Sequence, residues 1–301
     1  MTVGFVGLGR MGGNMCRNVI AKSGEDVMVY DLSPEAVEAC AAVGGRAATS
    51  LGELVAAADV ILTSLPKPEN VEAVVLGPEG IAERAKPGTV YIDLTTSSPE
   101  LARRLAAQLE EKGIEMLDAP VSGGPVGAEA GTLGVMVGGK EEVLEANRKL
   151  LETLGANVIH VGPIGSGLIA KLVNNLLGIA SVATASEGLM IARAAGVEPR
   201  KLDAVIRAST GDSLAYRALA DKAISGDYSA AFALDLAYKD IHLLLELADE
   251  LSMPAPMGAS THNLMRMAKG LGYGELDPTV VVRVYEQTQG LRITEVAEVE
   301  S

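Results

Sequence analysis

The chain has 301 residues, of which 48% are hydrophobic and 21% are charged, so it can bury two domain cores and has the composition of a soluble globular protein. Its net charge of −14 argues against nucleic acid or an anionic membrane as a partner, although a small anionic substrate needs only a local positive site. Its two cysteines and three histidines lack the spacing of a disulfide framework or a metal site. From the cysteines and histidines we expect a reduced protein that needs no metal. Because the first residues predict a strand rather than a signal peptide, we expect the protein to be cytoplasmic.

The beginning of the chain predicts a strand, a glycine-rich loop and a helix. An apolar strand over 2–6 runs directly into the spacing GxGxxG, and a helical pattern follows to about residue 22. In such a loop the glycines permit a tight turn, close approach of a pyrophosphate, and close packing of helix on strand, while the helix N-terminus faces the phosphates. We therefore predict that the loop binds a dinucleotide through Gly7, Leu8, Gly9, Arg10, Met11 and Gly12.

An acidic residue after the next strand indicates which dinucleotide is bound. The strand over 26–30 ends on Asp31, about twenty positions after the last glycine of the loop. Its carboxylate can accept hydrogen bonds from the adenosine ribose hydroxyls and would repel a 2′-phosphate, and no arginine follows at Leu32, Ser33 or Pro34. These features favour NAD over NADP. FAD uses a similar loop, but no second flavin motif follows, so FAD ranks well below NAD.

The chain then continues to alternate between strands and helices. Strands are predicted over 59–63, 89–93 and 114–118, which indicates an α/β fold with a mostly parallel, doubly wound sheet. Ligands bind at the carboxyl ends of the strands in such sheets. The residues that we predict to reach the cofactor there, although ordinary loop chemistry explains each of them equally well, are Leu65, Pro66 and Thr96.

A turn with one hydroxyl and two glycines follows the strand over 114–118. Ser122, Gly123 and Gly124 offer a side-chain hydroxyl and backbone amides without side chains, a combination that can bind an anion. A tight turn that needs glycine for a positive φ explains the same residues equally well.

Strand patterns stop beyond about residue 162, and the rest of the chain predicts helices. We expect a dinucleotide-binding domain over 1–162, an interdomain helix within 163–195 and an all-α domain over 196–301. The predicted helices are 168–195, 199–208, 214–224, 234–251, 257–269 and 278–289.

The helix over 168–195 is apolar on nearly every side yet carries a polar cluster near its start. Such a helix is normally buried, and the i+3 and i+4 spacing places Lys171, Asn174 and Asn175 on one face. A lone lysine would more often extend its ammonium to solvent, but two asparagines beside it indicate a reacting centre, with a lysine whose pKa falls on burial. The cluster, together with Glu187, argues against a membrane span.

Four segments resemble, in the same order, the signatures of the β-hydroxyacid dehydrogenases, the 3-hydroxyisobutyrate dehydrogenase group. They cover nearly the whole chain and consist of residues 4–12, 118–124, 165–175 and 239–240. The resemblance implies a Rossmann domain followed by an all-α domain, and reversible hydride transfer between NAD and the primary alcohol of a small 3-hydroxy acid. It implies that Lys171 is the general acid or base and that Asn175 helps to hold it. The other implied contacts are Ser122, Gly123, Gly124 and Asn174 for the substrate and Lys239 near the cofactor and substrate.

The resemblance leaves the substrate open as a small carboxylate or sulfonate. The C-terminal part is nearest to 2-(hydroxymethyl)glutarate and sulfolactaldehyde-type members. Leu214 stands where other relatives have an aromatic residue, so no single substrate can be transferred from them. Imine reductases share the architecture but usually lack the catalytic lysine. The alternatives are an NADPH-preferring reductase of short aldehydes and a non-catalytic NAD-binding protein. We also expect a homodimer or homotetramer.

Overall fold

The computed structural model of the protein describes residues 1–294 and divides the chain into two compact units. The units are Met1–Lys171 and Leu172–Ser301, and the division falls within one continuous helix, Ser166–Ala194. The acidic tail 295–301, which the sequence predicts to be mobile, lies outside the described residues.

The first unit contains one mixed, mostly parallel sheet. Its strand order is β3-β2-β1-β4-β5-β6-β8-β7, with β9 paired to β8. The pairs along the sheet from β3 to β6 are parallel, and helices join these strands, so the predicted doubly wound α/β fold is confirmed. The strands are β1 (Thr2–Val6), β2 (Asp26–Tyr30), β3 (Arg46–Ala47), β4 (Val60–Thr63), β5 (Val90–Asp93), β6 (Glu115–Asp118), β7 (Val121–Ser122), β8 (Gly134–Gly138) and β9 (Asn157–Gly162).

The two-residue strands β3 and β7 are absent from the sequence prediction because two residues show no alternation of apolar and polar side chains. Strands β6 and β7 each pair antiparallel with β8, so the chain keeps its direction from β6 into β7 and reverses before β8. Its registered pairs are Val121 with Val135 and Ser122 with Gly134, so Ser122 is held by the sheet rather than by a free loop.

Serine and proline residues set the starts of several helices in the first unit. The hydroxyls of Ser33, Ser50 and Ser98 each accept a hydrogen bond from the backbone N–H three residues on, and proline occupies an early position in α2 and α6. The helices are α1 (Gly12–Lys22), α2 (Pro34–Ala41), α3 (Leu51–Ala57), α4 (Pro68–Leu76), α5 (Ile81–Arg84), α6 (Pro99–Glu110), α7 (Gly124–Ala130) and α8 (Glu141–Leu151).

The rest of the described chain is helical, as predicted. One predicted helix, 278–289, is in fact a 3₁₀ turn, Pro278–Val281, followed by an α-helix. Three consecutive valines from Val280 to Val282 lower the α-helical propensity at this point, and the Asp277 carboxylate accepts the N–H of Thr279 to start the tighter turn. The helices are α9 (Ser166–Ala194), α10 (Pro199–Arg207), α11 (Leu214–Ser225), α12 (Leu234–Glu250), α13 (Pro256–Gly270) and α14 (Val282–Gln289).

The expectation that the long helix α9 is buried is wrong for one of its faces. Val173, Leu177 and Ile191 share a side of the helix and are 44%, 66% and 70% exposed. Within residues 1–294, α9 is the one helix long and apolar enough to cross a membrane, a property that core helices of soluble proteins share. An apolar composition therefore did not predict burial here.

A carboxylate from the sheet caps the start of α9. The fully buried Asp118 at the end of β6 accepts the Gly165 N–H through Oδ1 at 2.6 Å and the Leu168 N–H through Oδ2 at 2.7 Å. Helix α9 has no acidic residue in its own first turn, so Asp118 supplies the negative charge that a helix N-terminus favours. Burial raises the pKa of Asp118 to about 7, while the two N–H donors lower it.

This raised pKa predicts a pH dependence of stability. Between the unfolded pKa, about 3.9, and the folded value, the unfolded chain has lost a proton that the folded protein keeps. Raising the pH across this interval therefore lowers the free energy of unfolding, by up to roughly 1.4 kcal/mol per pH unit. The variant Asp118→Asn lacks this titration, so we expect its stability relative to the wild type to improve as the pH rises from about 4 to about 7. Urea unfolding of both proteins across this interval measures the difference, and a constant difference would contradict the assignment.

Candidate active site

The glycine-rich loop between β1 and α1 has the geometry of a pyrophosphate-binding turn. Gly7 has a φ of +90°, and a Cβ on it would overlap the carbonyl of Ser64, while a Cβ on Gly12 would overlap the carbonyl of Gly7. No atom lies within 4 Å of the place where a Cβ on Gly9 would stand, and Gly9 is exposed. Packing therefore requires glycine at positions 7 and 12, which agrees with the roles predicted for them in the tight turn and in the packing of helix on strand. The backbone at Gly9 is accessible, as close approach of a pyrophosphate requires.

The helix that follows the loop also suits an anionic group. Helix α1 has neither a side-chain cap nor an acidic residue in its first turn, so no side-chain carboxylate neutralises its positive N-terminal end. Arg10 is exposed and Met11 half-buried, whereas the Leu8 side chain is buried in the core of the first unit. The phosphates of a dinucleotide fit this loop, with Leu8 available through its backbone alone.

Asp31 is held in place by the same loop. Its Oδ2 accepts the Leu8 N–H at 2.5 Å and its Oδ1 accepts the Ser33 N–H at 2.8 Å. Each carboxylate oxygen has a second lone pair, so ribose hydroxyls can still donate to Asp31. The Ser33 hydroxyl donates to Glu35 at 2.7 Å, and this hydrogen bond lowers the pKa of Glu35. Two carboxylates therefore lie close to the end of β2.

A buried polar network braces the loops after β4 and β5. The Asp93 carboxylate accepts the Thr95 N–H at 3.0 Å and the Thr63 hydroxyl at 2.8 Å, and the Thr95 hydroxyl accepts the Leu65 N–H at 3.0 Å. The resemblance also places Asp93 and Thr95 in the family's cofactor loop, but the sequence did not indicate that they and Thr63 hold Leu65. A carboxylate at the end of an otherwise apolar strand is the signal that could have found Asp93.

The other two residues predicted in these loops differ in exposure. Thr96 is half-buried directly after Thr95, and Pro66 is exposed directly after Leu65. The network therefore positions the backbone of both loops at the carboxyl ends of adjacent parallel strands, which is where such sheets bind ligands.

The turn after β7 needs glycine for its backbone conformation and leaves open space beside one of its residues. Gly123 and Gly124 have φ values of +132° and +62°, so the turn does need glycine. No atom lies within 4 Å of the place where a Cβ on Gly124 would stand, so its backbone amide is also approachable. Ser122 is half-buried at the end of β7. The turn is therefore both sterically determined and able to present a hydroxyl and amides to an anion.

The second unit contains a connected polar group built on α9 and α12. The Asn175 side-chain amide donates to Asp240 Oδ2 at 2.6 Å, and Lys239 Nζ lies 3.1 Å from Asp240 Oδ1. Asp240 is buried, so its carboxylate orients both partners. Asn174 is exposed and donates its amide to Asn175 Oδ1 at 3.2 Å. The sequence alone did not indicate the link from Asp240 to Asn175.

Lys171 is the last residue of the first unit and is half-buried. Helix α9 runs without interruption through Lys171 and Asn175, so the two residues lie one turn apart on the same face. The first unit therefore contains the dinucleotide loop, Asp31, the Ser122 turn and Lys171, and the second contains Asn175 with its acid and its lysine partner.

Comparison with known families agrees with this arrangement. Residues 2–162 match a family described as the NAD binding domain of 6-phosphogluconate dehydrogenase. Residues 165–285 match a family described as NAD-binding of NADP-dependent 3-hydroxyisobutyrate dehydrogenase. Both descriptions confirm the prediction of a nicotinamide dinucleotide as the cofactor.

Individual relatives extend over almost the entire chain. The 2-(hydroxymethyl)glutarate dehydrogenase of Eubacterium barkeri is 40% identical over 97% of this chain and 97% of its own. The NAD-dependent L-serine dehydrogenase of Pseudomonas aeruginosa is 38% identical over 96% of this chain and 99% of its own. The solved structure of Mycobacterium tuberculosis 3-hydroxyisobutyrate dehydrogenase with L-serine superposes with a TM-score of 0.85 at 32% identity, covering 94% of this chain and 98% of that one. The chain therefore belongs to the β-hydroxyacid dehydrogenase family, as its motifs predicted, and is a nicotinamide-dependent dehydrogenase of the 3-hydroxyacid type.

Proposed function

We propose that the protein reversibly oxidises the primary alcohol of a small 3-hydroxy acid to the semialdehyde, with NAD as the cofactor. The observation that carries this proposal is the polar face of α9. Lys171 stands one turn before Asn175, whose amide is oriented by the buried Asp240 carboxylate. Such a supported amide beside a lysine, on an otherwise apolar helix, suits proton transfer better than solvation of a charge.

The names of the relatives indicate the chemical class of the substrate. Hydroxymethylglutarate, serine and hydroxyisobutyrate each carry a CH₂OH group on the carbon that bears a carboxylate. We infer that the substrate of this protein has the same arrangement, with a carboxylate or sulfonate as the anion.

Two sets of residues act on this substrate in the proposal. The Ser122 hydroxyl and the amides of Gly123 and Gly124 bind the anionic group and thereby fix the position of the carbinol carbon. Lys171 Nζ takes the hydroxyl proton during oxidation and returns it during aldehyde reduction, while Asn175 orients the lysine. NAD, when bound, supplies the hydride acceptor.

A substrate series tests the class. We expect turnover with 3-hydroxyisobutyrate, 2-(hydroxymethyl)glutarate or L-serine, measured as NADH formation. With γ-hydroxybutyrate the carbinol carbon is one bond further from the carboxylate, so we expect kcat/KM to fall by about tenfold or more relative to the best substrate of the series. Highest activity on γ-hydroxybutyrate, or activity confined to NADPH-dependent reduction of short aldehydes, would support the alternative reductase.

The role of Lys171 is tested by Lys171→Ala. Because the variant lacks the group that exchanges the hydroxyl proton, we expect kcat to fall by about 10²- to 10⁴-fold while the affinity for NADH, measured by fluorescence titration, is unchanged. The matched control is Lys201→Ala, since Lys201 is 83% exposed and lies in α10. Near-wild-type turnover of Lys171→Ala would show that the proposed mechanism is wrong.

The preference for NAD is tested by Asp31→Ala. Removal of this carboxylate eliminates both the ribose contacts and the repulsion of a 2′-phosphate, so we expect the ratio of kcat/KM for NAD over NADP to fall by about tenfold or more. The matched control is Asp26→Ala at the opposite end of β2, where Asp26 pairs with Arg46 at 2.8 Å. If Asp31→Ala kept the wild-type ratio, Asp31 would not be the ribose ligand.

A further inference from the structure

Asp118 joins the two parts of the first unit to which the proposed function assigns substrate binding and proton transfer. Its backbone ends β6, paired with Asp93 on one side and with Gly138 on the other. Four residues later the chain reaches Ser122, at the end of β7. The position of Asp118 in the sheet therefore determines where the turn that binds the substrate anion begins.

The side chain of the same residue determines where the lysine helix begins. Its two oxygens accept the N–H groups of Gly165 and Leu168, and Leu168 lies one helical turn before Lys171. A carboxylate that receives two backbone donors, one on each oxygen, resists both rotation and translation of the helix end.

The packing around this carboxylate is close enough to require glycine at two neighbouring positions. A Cβ on Gly138 would overlap Asp118 Oδ1, and one on Gly167 would lie 2.9 Å from both the carbonyl oxygen and Oδ2 of Asp118. Glycine at these two positions lets the strand, the carboxylate and the first turn of α9 approach each other closely.

We propose that Asp118 is a positioning residue, which sets Lys171 at a fixed distance from the Ser122–Gly124 turn through its two hydrogen bonds to the start of α9. This inference rests on the proposed function, because it assigns Asp118 a purpose only if Lys171 exchanges the proton. A residue that merely stabilised the fold would change the melting temperature without changing the rate or the pH profile of the folded enzyme.

The first test is Asp118→Asn. Its amide keeps one acceptor but presents N–H to a backbone N–H at the other oxygen position, so the helix start must shift. We expect kcat to fall by about 10- to 100-fold and KM for the hydroxy acid to rise, with the affinity for NADH within about twofold of the wild type. Above about pH 7, where the Asp118 carboxyl is ionised, the substitution also removes a negative charge from the start of the helix that carries Lys171, so the midpoint of the rising limb of kcat/KM against pH should move to lower pH.

The second test separates position from charge. In Gly138→Ala the new methyl group would overlap Asp118 Oδ1 and lie 2.9 Å from the Gly167 nitrogen, so it displaces the carboxylate and the start of α9 but leaves the charge of Asp118 in place. We expect kcat to fall as in Asp118→Asn, with a midpoint of the pH profile that stays near the wild-type value. If Asp118→Asn does not fold, the kcat of Gly138→Ala alone tests the inference. A value within about twofold of the wild type then contradicts it.

The matched control removes a similar buried carboxylate in the second unit. Glu286 is 3% exposed, accepts the Ile293 N–H at 2.8 Å and lies 3.0 Å from Arg292 Nη1. We expect Glu286→Gln to lower the melting temperature while kcat and the pH profile stay unchanged.

The outcomes distinguish this inference from the proposed function. Wild-type turnover in Lys171→Ala would overturn the proposed function and this inference with it. A large loss in Lys171→Ala, combined with a folded Asp118→Asn or Gly138→Ala whose kcat lies within about twofold of the wild type, would overturn this inference alone.

Discussion

The buried carboxylate of Asp118 is the constraint on which the geometry of the first unit most depends. Burying a carboxylate is costly unless hydrogen bonds satisfy it, and here two backbone N–H groups of one helix start offset part of that cost. If the carboxylate were lost, each of those N–H groups would remain buried without a partner, at a cost of about 1–3 kcal/mol apiece. The sheet and α9 are therefore coupled at one point, and the residues that follow on each element inherit their positions from it.

The second unit solves a related problem with Asp240. Asn175 lies on a mostly apolar helix, and its amide would have several rotamers if nothing held it. The buried Asp240 carboxylate takes one amide hydrogen at 2.6 Å and pairs with Lys239, so its charge is compensated where it is desolvated. Each unit thus holds one stretch of α9 with a buried aspartate, since Asp118 binds the backbone at the start of the helix and Asp240 binds the Asn175 side chain.

The sequence predicted the elements well and the supporting residues poorly. Strands β1 and β2 and the glycine-rich loop follow from local patterns, because alternation of strand and helix and the spacing of Gly7, Gly9 and Gly12 are visible within thirty residues. The roles of Asp93 and Asp118 depend on partners that are distant in the chain, such as Thr63 and Leu168, and no short spacing encodes them. The exposed face of α9 escaped prediction for a different reason, since composition reports how apolar a helix is but not what covers it.

Asp31 has both a predicted binding role at the ribose and a structural role in holding the glycine-rich loop, and one substitution changes both. The sequence assigned it to the ribose, yet both of its oxygens already accept backbone N–H groups, one of them from Leu8 in the glycine-rich loop. A carboxylate that is fastened in this way has little freedom to turn, so it presents its remaining lone pairs in fixed directions and loses little entropy when a hydroxyl binds. The same fastening means that its removal also loosens the loop around Gly9. A fall in affinity for both dinucleotides would therefore report the loop, and only the change in their ratio reports the ribose contact.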